Sequence, residues 1–168
     1  MLKKILLAAL LAAPMCLMAQ APKFGYVNPL EIFNVMPERA TAESTLKTAA
    51  DKFDTEAKNL QDAFQKKMSD YEAQAKDPNT PDAIKQRHEE ELQTEYQKIM
   101  NFQQTAQQEL QKQQEQLLAP IQQKLQDAIK AVGAEGGYTF IYDSSSLLYT
   151  GNGAEDISAK VKAKLGIK

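Results

Sequence analysis

His88, the only histidine in the chain, stands between Arg87 and the carboxylates Glu89, Glu90 and Glu91. An imidazole among carboxylates could hold a metal ion or pass a proton, but either role needs ligands or acids that converge on one point. Consecutive residues on a helix fan out around its axis, so this run reads as a solvated helix surface. Ser144, Ser145 and Ser146 beside Asp143 are the next candidates. A serine nucleophile needs a base within hydrogen-bond reach, usually on a strained turn of defined sequence. No such motif surrounds them, and the histidine lies far away in the chain, so they read as turn residues. There is no glycine-rich phosphate loop, and the acidic run has no pocket to shift its pKa. No catalytic residue, metal ligand, cofactor or nucleotide site is expected, and the chain does not read as an enzyme.

With chemistry set aside, the sequence must be explained by its elements and its address. Lys3 and Lys4 precede an apolar run from Ile5 to Ala13, followed by Pro14 and small residues. This is the pattern of a cleaved secretory signal, with cleavage expected after Ala19. The apolar run is too short to span a bilayer. Cys16, the one cysteine, has neighbours that suit a lipidation site poorly and is expected to leave with the leader. The exported chain then has no thiol for a disulfide in an oxidising compartment. Without Lys3 and Lys4 it carries 18 basic and 22 acidic side chains, a net charge of −4 that does not suit nucleic acid.

Two long helices account for the middle of the chain. Leu46, Ala50, Phe53, Ala57, Leu60, Phe64, Met68, Tyr71 and Ala75 recur at alternating threes and fours, a coiled-coil stripe. A looser stripe runs from Leu92 through Tyr96, Ile99, Ala106, Leu110, Leu117, Ile121, Leu125 and Ala128 to Val132. Between the stripes Asp77-Pro78-Asn79-Thr80-Pro81 forms a turn, with Thr80 expected to cap the second helix. The result is an antiparallel hairpin over residues 38–119 with its tip at 77–81. Its helices should hold roughly 39 and 51 residues, about 58 and 76 Å at the helical rise. Eight glutamines in the fifteen residues from Phe102 to Gln116 dilute the second stripe. Glutamine supports a helix but adds little apolar burial, so the arm should be weakly packed and should bend. Pro120 lies inside the second helix, where it removes a hydrogen bond, and reads as a hinge.

The two ends of the sequence supply a small body over residues 20–37 and 120–168. Expected strands run from Phe24 to Asn28, Tyr138 to Tyr142 and Leu147 to Thr150, with a last short helix that begins near Asp156 or Ser158 and closes at Gly166. The fold class is therefore α+β, a small β-rich body with a long helical hairpin arm. A body this small with open strand edges gains by joining copies of itself. The expected association residues are Phe24, Tyr26, Val27, Tyr138, Phe140, Ile141, Tyr142, Leu147, Leu148 and Tyr149.

FGYVNPLEIFNVMPE at one end, with APIQQKLQDAIKAVGAEGGYTFIYD and LLYTGNGAEDISAKVKAKLGI at the other, in this order resemble the Skp/OmpH family of periplasmic chaperones. The resemblance spans nearly all of residues 23–167 and implies a homotrimer whose strands form a central barrel. From the barrel three arms project and enclose a cavity for unfolded outer-membrane proteins, held without ATP. The glutamine-rich helix would be a cavity wall that stays soluble while empty. Met68, Tyr71, Met100 and Phe102 are the expected client contacts, since Met and aromatic side chains adapt to varied apolar surfaces. Filling the hairpin seam is the competing role of Met68 and Tyr71. One departure from basic-armed relatives is the arm's charge, 11 basic against 16 acidic residues. This argues against electrostatic capture of acidic clients or lipopolysaccharide. A structural coiled-coil adaptor that docks one folded partner in the cell envelope is the alternative.

Overall fold

The computed structural model describes residues 21–167. The leader inferred at residues 1–19, Cys16 included, lies outside them. In sequence order the elements are β1 (Phe24–Val27), α1 (Pro29–Val35), α2 (Pro37–Ala75), α3 (Asp82–Gly136), β2 (Phe140–Asp143), a 3-10 turn (Ser144–Ser146), β3 (Ala154–Asp156) and α4 (Ser158–Leu165). They fall into two compact units, one of Leu30–Asp127 and one of residues 21–29 with Ala128–Gly166.

The first unit is the hairpin. Helix α2 has 39 residues and α3 has 55. Pro37 opens α2 at a position where a missing N–H costs nothing, and Glu38 complements the helix dipole in the first turn. At the tip Asp77 accepts from the Asn79 backbone at 2.9 Å. Thr80 does not cap the following helix as expected. Its hydroxyl instead donates to the Gln74 carbonyl at 2.8 Å, satisfying the end of α2. Aromatic contacts pair the helices in antiparallel register, with ring centroids 6.1 Å apart for Phe53 and Phe102 and 6.3 Å for Phe64 and Tyr96. Ile99, Ala106, Ile121 and Leu125 are buried, as are Ile32, Met36 and Ala42. Thus the seam is apolar at intervals and polar between them, as the diluted stripe requires.

The second unit holds a three-stranded sheet in the order β2-β1-β3, with both pairings parallel. Phe24 faces Phe140 and Ala154 across the two ladders, and Tyr26 faces Tyr142 and Asp156. Alternation therefore places Phe24, Tyr26, Phe140 and Tyr142 on one face, and Gly25, Val27 and Ile141 on the other. Val27, Ile157 and Val161 are almost fully buried and form the core of this unit with Val132. Gly133 lets α3 approach the sheet, because a Cβ there would come within 2.9 Å of Ile141.

The expected third strand at Leu147–Thr150 is not present. That segment is an irregular loop, and the third strand is Ala154–Asp156. Ala, Glu and Asp are poor strand formers, so local preference favours the Leu-Leu-Tyr run. Pairing with the central strand β1, far away in sequence, overrides it. Asp156 also accepts from the Ser158 N–H at 2.8 Å, linking the end of β3 to the start of α4. Gly166 ends α4 in the left-handed region, at φ 74°. Helix α1, which no sequence pattern announced, begins at the Pro29 that stops β1.

Candidate functional site

Along the arm the expected contact residues separate into two groups. Phe102 is half-buried against Phe53, so it is a seam residue in this structure. Tyr71 is also half-buried, its ring 6.2 Å from His88 and its hydroxyl donating to Glu89 at 2.7 Å. That bond, with the negative charge nearby, raises the Tyr71 pKa. Met68 and Met100 instead present 39% and 46% of their surface to solvent. Ile99, Met100 and Phe102 make a stripe wider than one seam covers, and Met100 is the member turned outward. Tyr96, whose ring meets Phe64 across the seam, still leaves 50% of its surface exposed one turn before Met100, so its open side and Met100 form a short apolar ridge on α3. Their separation of four residues was the available signal.

Charge surrounds this ridge. Lys67 bonds Glu95 at 2.6 Å across the hairpin, and that bond, helped by Lys98, lowers the Glu95 pKa. Glu38 is lowered by the hydrogen bond from Lys124 and by one from its own backbone. His88 lies 3.6 Å from Glu91, and no group of His, Cys, Asp and Glu able to hold a metal occurs among the described residues. Pro120 is exposed within an α3 that continues through it. Beside it lies an open groove of about 360 Å³ lined by Ala42, Thr45, Leu117, Pro120 and Ile121 among others. A second opening of about 490 Å³ lies between Ser44, Thr48, Phe53 and Gln113. Gln113 is the one residue of the glutamine-rich stretch that lines this second opening.

In the sheet unit, Phe24, Phe140 and Tyr142 cluster with centroids 6.1–6.5 Å apart. Phe140 is nonetheless 56% exposed, and Tyr142 is exposed as well. Parallel sheets are normally covered on both faces, and within one protomer this face is open. Leu148 and Tyr149 are exposed on the loop, whereas Leu147 is half-buried. Val27 and Ile141, also expected to mediate association, point to the covered face. Tyr138 packs inside its own unit, against Gly25 and Gly136.

Tyr138 is the centre of a polar clasp that sequence reading missed. Its hydroxyl donates to Glu155 at 2.6 Å and accepts from Lys160 at 3.0 Å. Lys23 lies 4.1 Å from the ring centroid and 3.2 Å from Glu155. Hydrogen bonds from Lys160, Tyr138 and Lys23 hold Glu155 down at about 2. The same bonds to Glu155 and Tyr138 raise Lys160. The clasp ties together the segments that enter β1 and β2, strand β3 and helix α4.

A family model described as Outer membrane protein (OmpH-like) matches residues 23–165. The chain belongs to the OmpH-like family. Curated relatives include the Chaperone protein Skp of Yersinia enterocolitica, 27% identical over 95% of this chain and 97% of the relative. Its counterpart in Pectobacterium atrosepticum is 26% identical over the same shares. These relatives are chaperones, not enzymes. A solved structure described as OmpH-like, from Caulobacter crescentus, superposes with a TM-score of 0.75 at 16% identity, covering 86% of this chain and 84% of that one. At this identity that likeness concerns the fold alone.

Proposed function

We propose that this protein is a periplasmic holdase that binds unfolded outer-membrane β-barrel proteins without ATP, acting as a homotrimer joined through the sheet unit. The exposed aromatic face formed by Phe24, Phe140 and Tyr142 carries the assembly part of the proposal, because an uncovered parallel-sheet face is stable once other copies cover it. Open edges at β2 and β3 add to this drive. Residues 20–37 and 120–168 form the association body in this reading, and residues 38–119 form the arm.

Client binding falls to Met68, Met100 and the open side of Tyr96, with Tyr71, Phe102 and the Tyr96–Phe64 contact serving the seam that presents them. Each such contact is weak, and several arms acting on one client make the sum strong. Pro120 inside α3 removes a helical hydrogen bond and gives the arm a point of flexure around clients of different sizes. With 16 acidic against 11 basic residues from Glu38 to Ala119, the arm holds clients through apolar contact more than through attraction of acidic groups. Lipopolysaccharide is not an expected ligand of such an arm.

The test is a native mass spectrum of the mature protein mixed with a urea-unfolded outer-membrane β-barrel, diluted without nucleotide. The expected species is a homotrimer carrying one client. Free trimer beside aggregated client would replace the holdase reading with an adaptor for a folded partner. Free monomer would overturn the assembly.

A further inference from the structure

The loop between the exposed Leu148–Tyr149 pair and β3 contains Asn152 followed by Gly153. We propose that Asn152 is a site of spontaneous covalent modification, converting to aspartate and isoaspartate through a cyclic imide. In this step the backbone nitrogen of Gly153 attacks Cγ of Asn152 and forms a new carbon–nitrogen bond. The bond between Cγ and the carboxamide nitrogen breaks, and the amide group leaves as ammonia, taking up the proton lost by the attacking nitrogen. Water then opens the ring at either carbonyl. Opening at one restores the backbone as aspartate, while opening at the other routes the backbone through the side chain as isoaspartate.

Several observations single out this asparagine among the six in the sequence. It is exposed at the centre of a turn closed by the Ala154 N–H and the Gly151 carbonyl at 3.2 Å. Among the described residues neither its carboxamide nor the Gly153 N–H makes a hydrogen bond, so neither reacting group is held. Gly153 places no side chain in the path of attack, and the space around it is open. The other five are restrained. Asn28 precedes Pro29, whose nitrogen carries no proton to lose. Asn34, Asn59 and Asn101 lie within helices, where the next backbone nitrogen is committed to the helical ladder. Asn79 bonds Asp77 through both its backbone and its carboxamide.

The product has structural consequences. Ala154, two residues on, is in register with Phe24, so an isoaspartate lengthens the backbone beside the β1–β3 ladder. Either product adds a negative charge close to Glu155 and Asp156. The reaction therefore acts as a clock on the edge strand that the Tyr138 clasp holds. This inference is independent of any client.

The experiment follows the full mature protein during storage at mildly alkaline pH, with peptide mapping at intervals. Digestion after lysine yields one peptide from Ala131 to Lys160. That peptide should gain the mass of hydroxyl replacing amino and split into two isomers, the isoaspartyl form in excess. Peptides holding Asn59 and Asn101 should stay unchanged over the same period. Gly153→Ala meets open space at an ordinary φ, so it should fold normally and slow the conversion several-fold. Conversion at Asn152 no faster than at the helical asparagines would overturn the proposal, and so would an unchanged rate in Gly153→Ala.

Discussion

At the level of single residues, Glu155 is the most strongly perturbed acid described, and its setting predicts a pH dependence. Its folded pKa of about 2 lies below the ordinary 4.5, because Lys160, Tyr138 and Lys23 all donate to its carboxylate. A group whose pKa falls on folding contributes stability above its unfolded value, and that contribution is lost as pH drops through the folded one. The clasp should therefore act fully above about pH 5 and fade between 4.5 and 2. Thermal melts of the wild type and Glu155→Gln should differ at neutral pH and converge in acid. A gap unchanged at low pH would mean that the carboxylate's charge is not what holds the clasp. The clasp was hard to see in the sequence because Lys23, Tyr138, Glu155 and Lys160 come from distant positions, and nothing in their local spacing links them.

Helices are where the sequence was most legible. Alternating threes and fours gave α2 its 39 residues, and the stripe into Val132 showed a longer α3, which has 55. Spacing does not decide orientation at a wide stripe, because side chains a few residues apart can face the partner or solvent depending on where the seam passes. The contact of Phe102 with Phe53 and the exposure of Met100 settle this. Two single variants separate the roles. Phe102→Ser should destabilise the hairpin by about 1–2 kcal/mol, less than the roughly 3–5 kcal/mol of a fully buried ring, and should lower helicity on heating. Met100→Ser should leave the melting curve unchanged while unfolded client dissociates faster, read by circular dichroism and by client release. Equal effects on folding would return Met100 to the seam.

For the molecule as a whole, the open aromatic face is the surface that the proposed association would cover. Covering a large apolar side chain is worth roughly 1.5–3 kcal/mol, so each aromatic on this face would contribute appreciably to the proposed association. Phe140→Ser with Tyr142→Ser should therefore shift the protein toward monomer in sedimentation velocity, while far-ultraviolet dichroism keeps its helical signal. An intact oligomer in the double variant would place the association surface elsewhere. Because the two side chains are exposed within one protomer, their loss costs the isolated fold little.

By itself the sequence determined the two long helices, the turn over residues 77–81 between them, and the strands near Phe24 and Phe140. Each follows from local rules of helical periodicity, proline geometry and strand composition, which act over a few residues. Tertiary structure alone decided that Ala154–Asp156 and not Leu147–Thr150 joins the sheet, that both ladders are parallel, and that Tyr138 turns inward while Phe140 turns out. The reason is physical. Strand pairing satisfies backbone groups between segments more than a hundred residues apart, and its register, not local propensity, determines which side chains share a face.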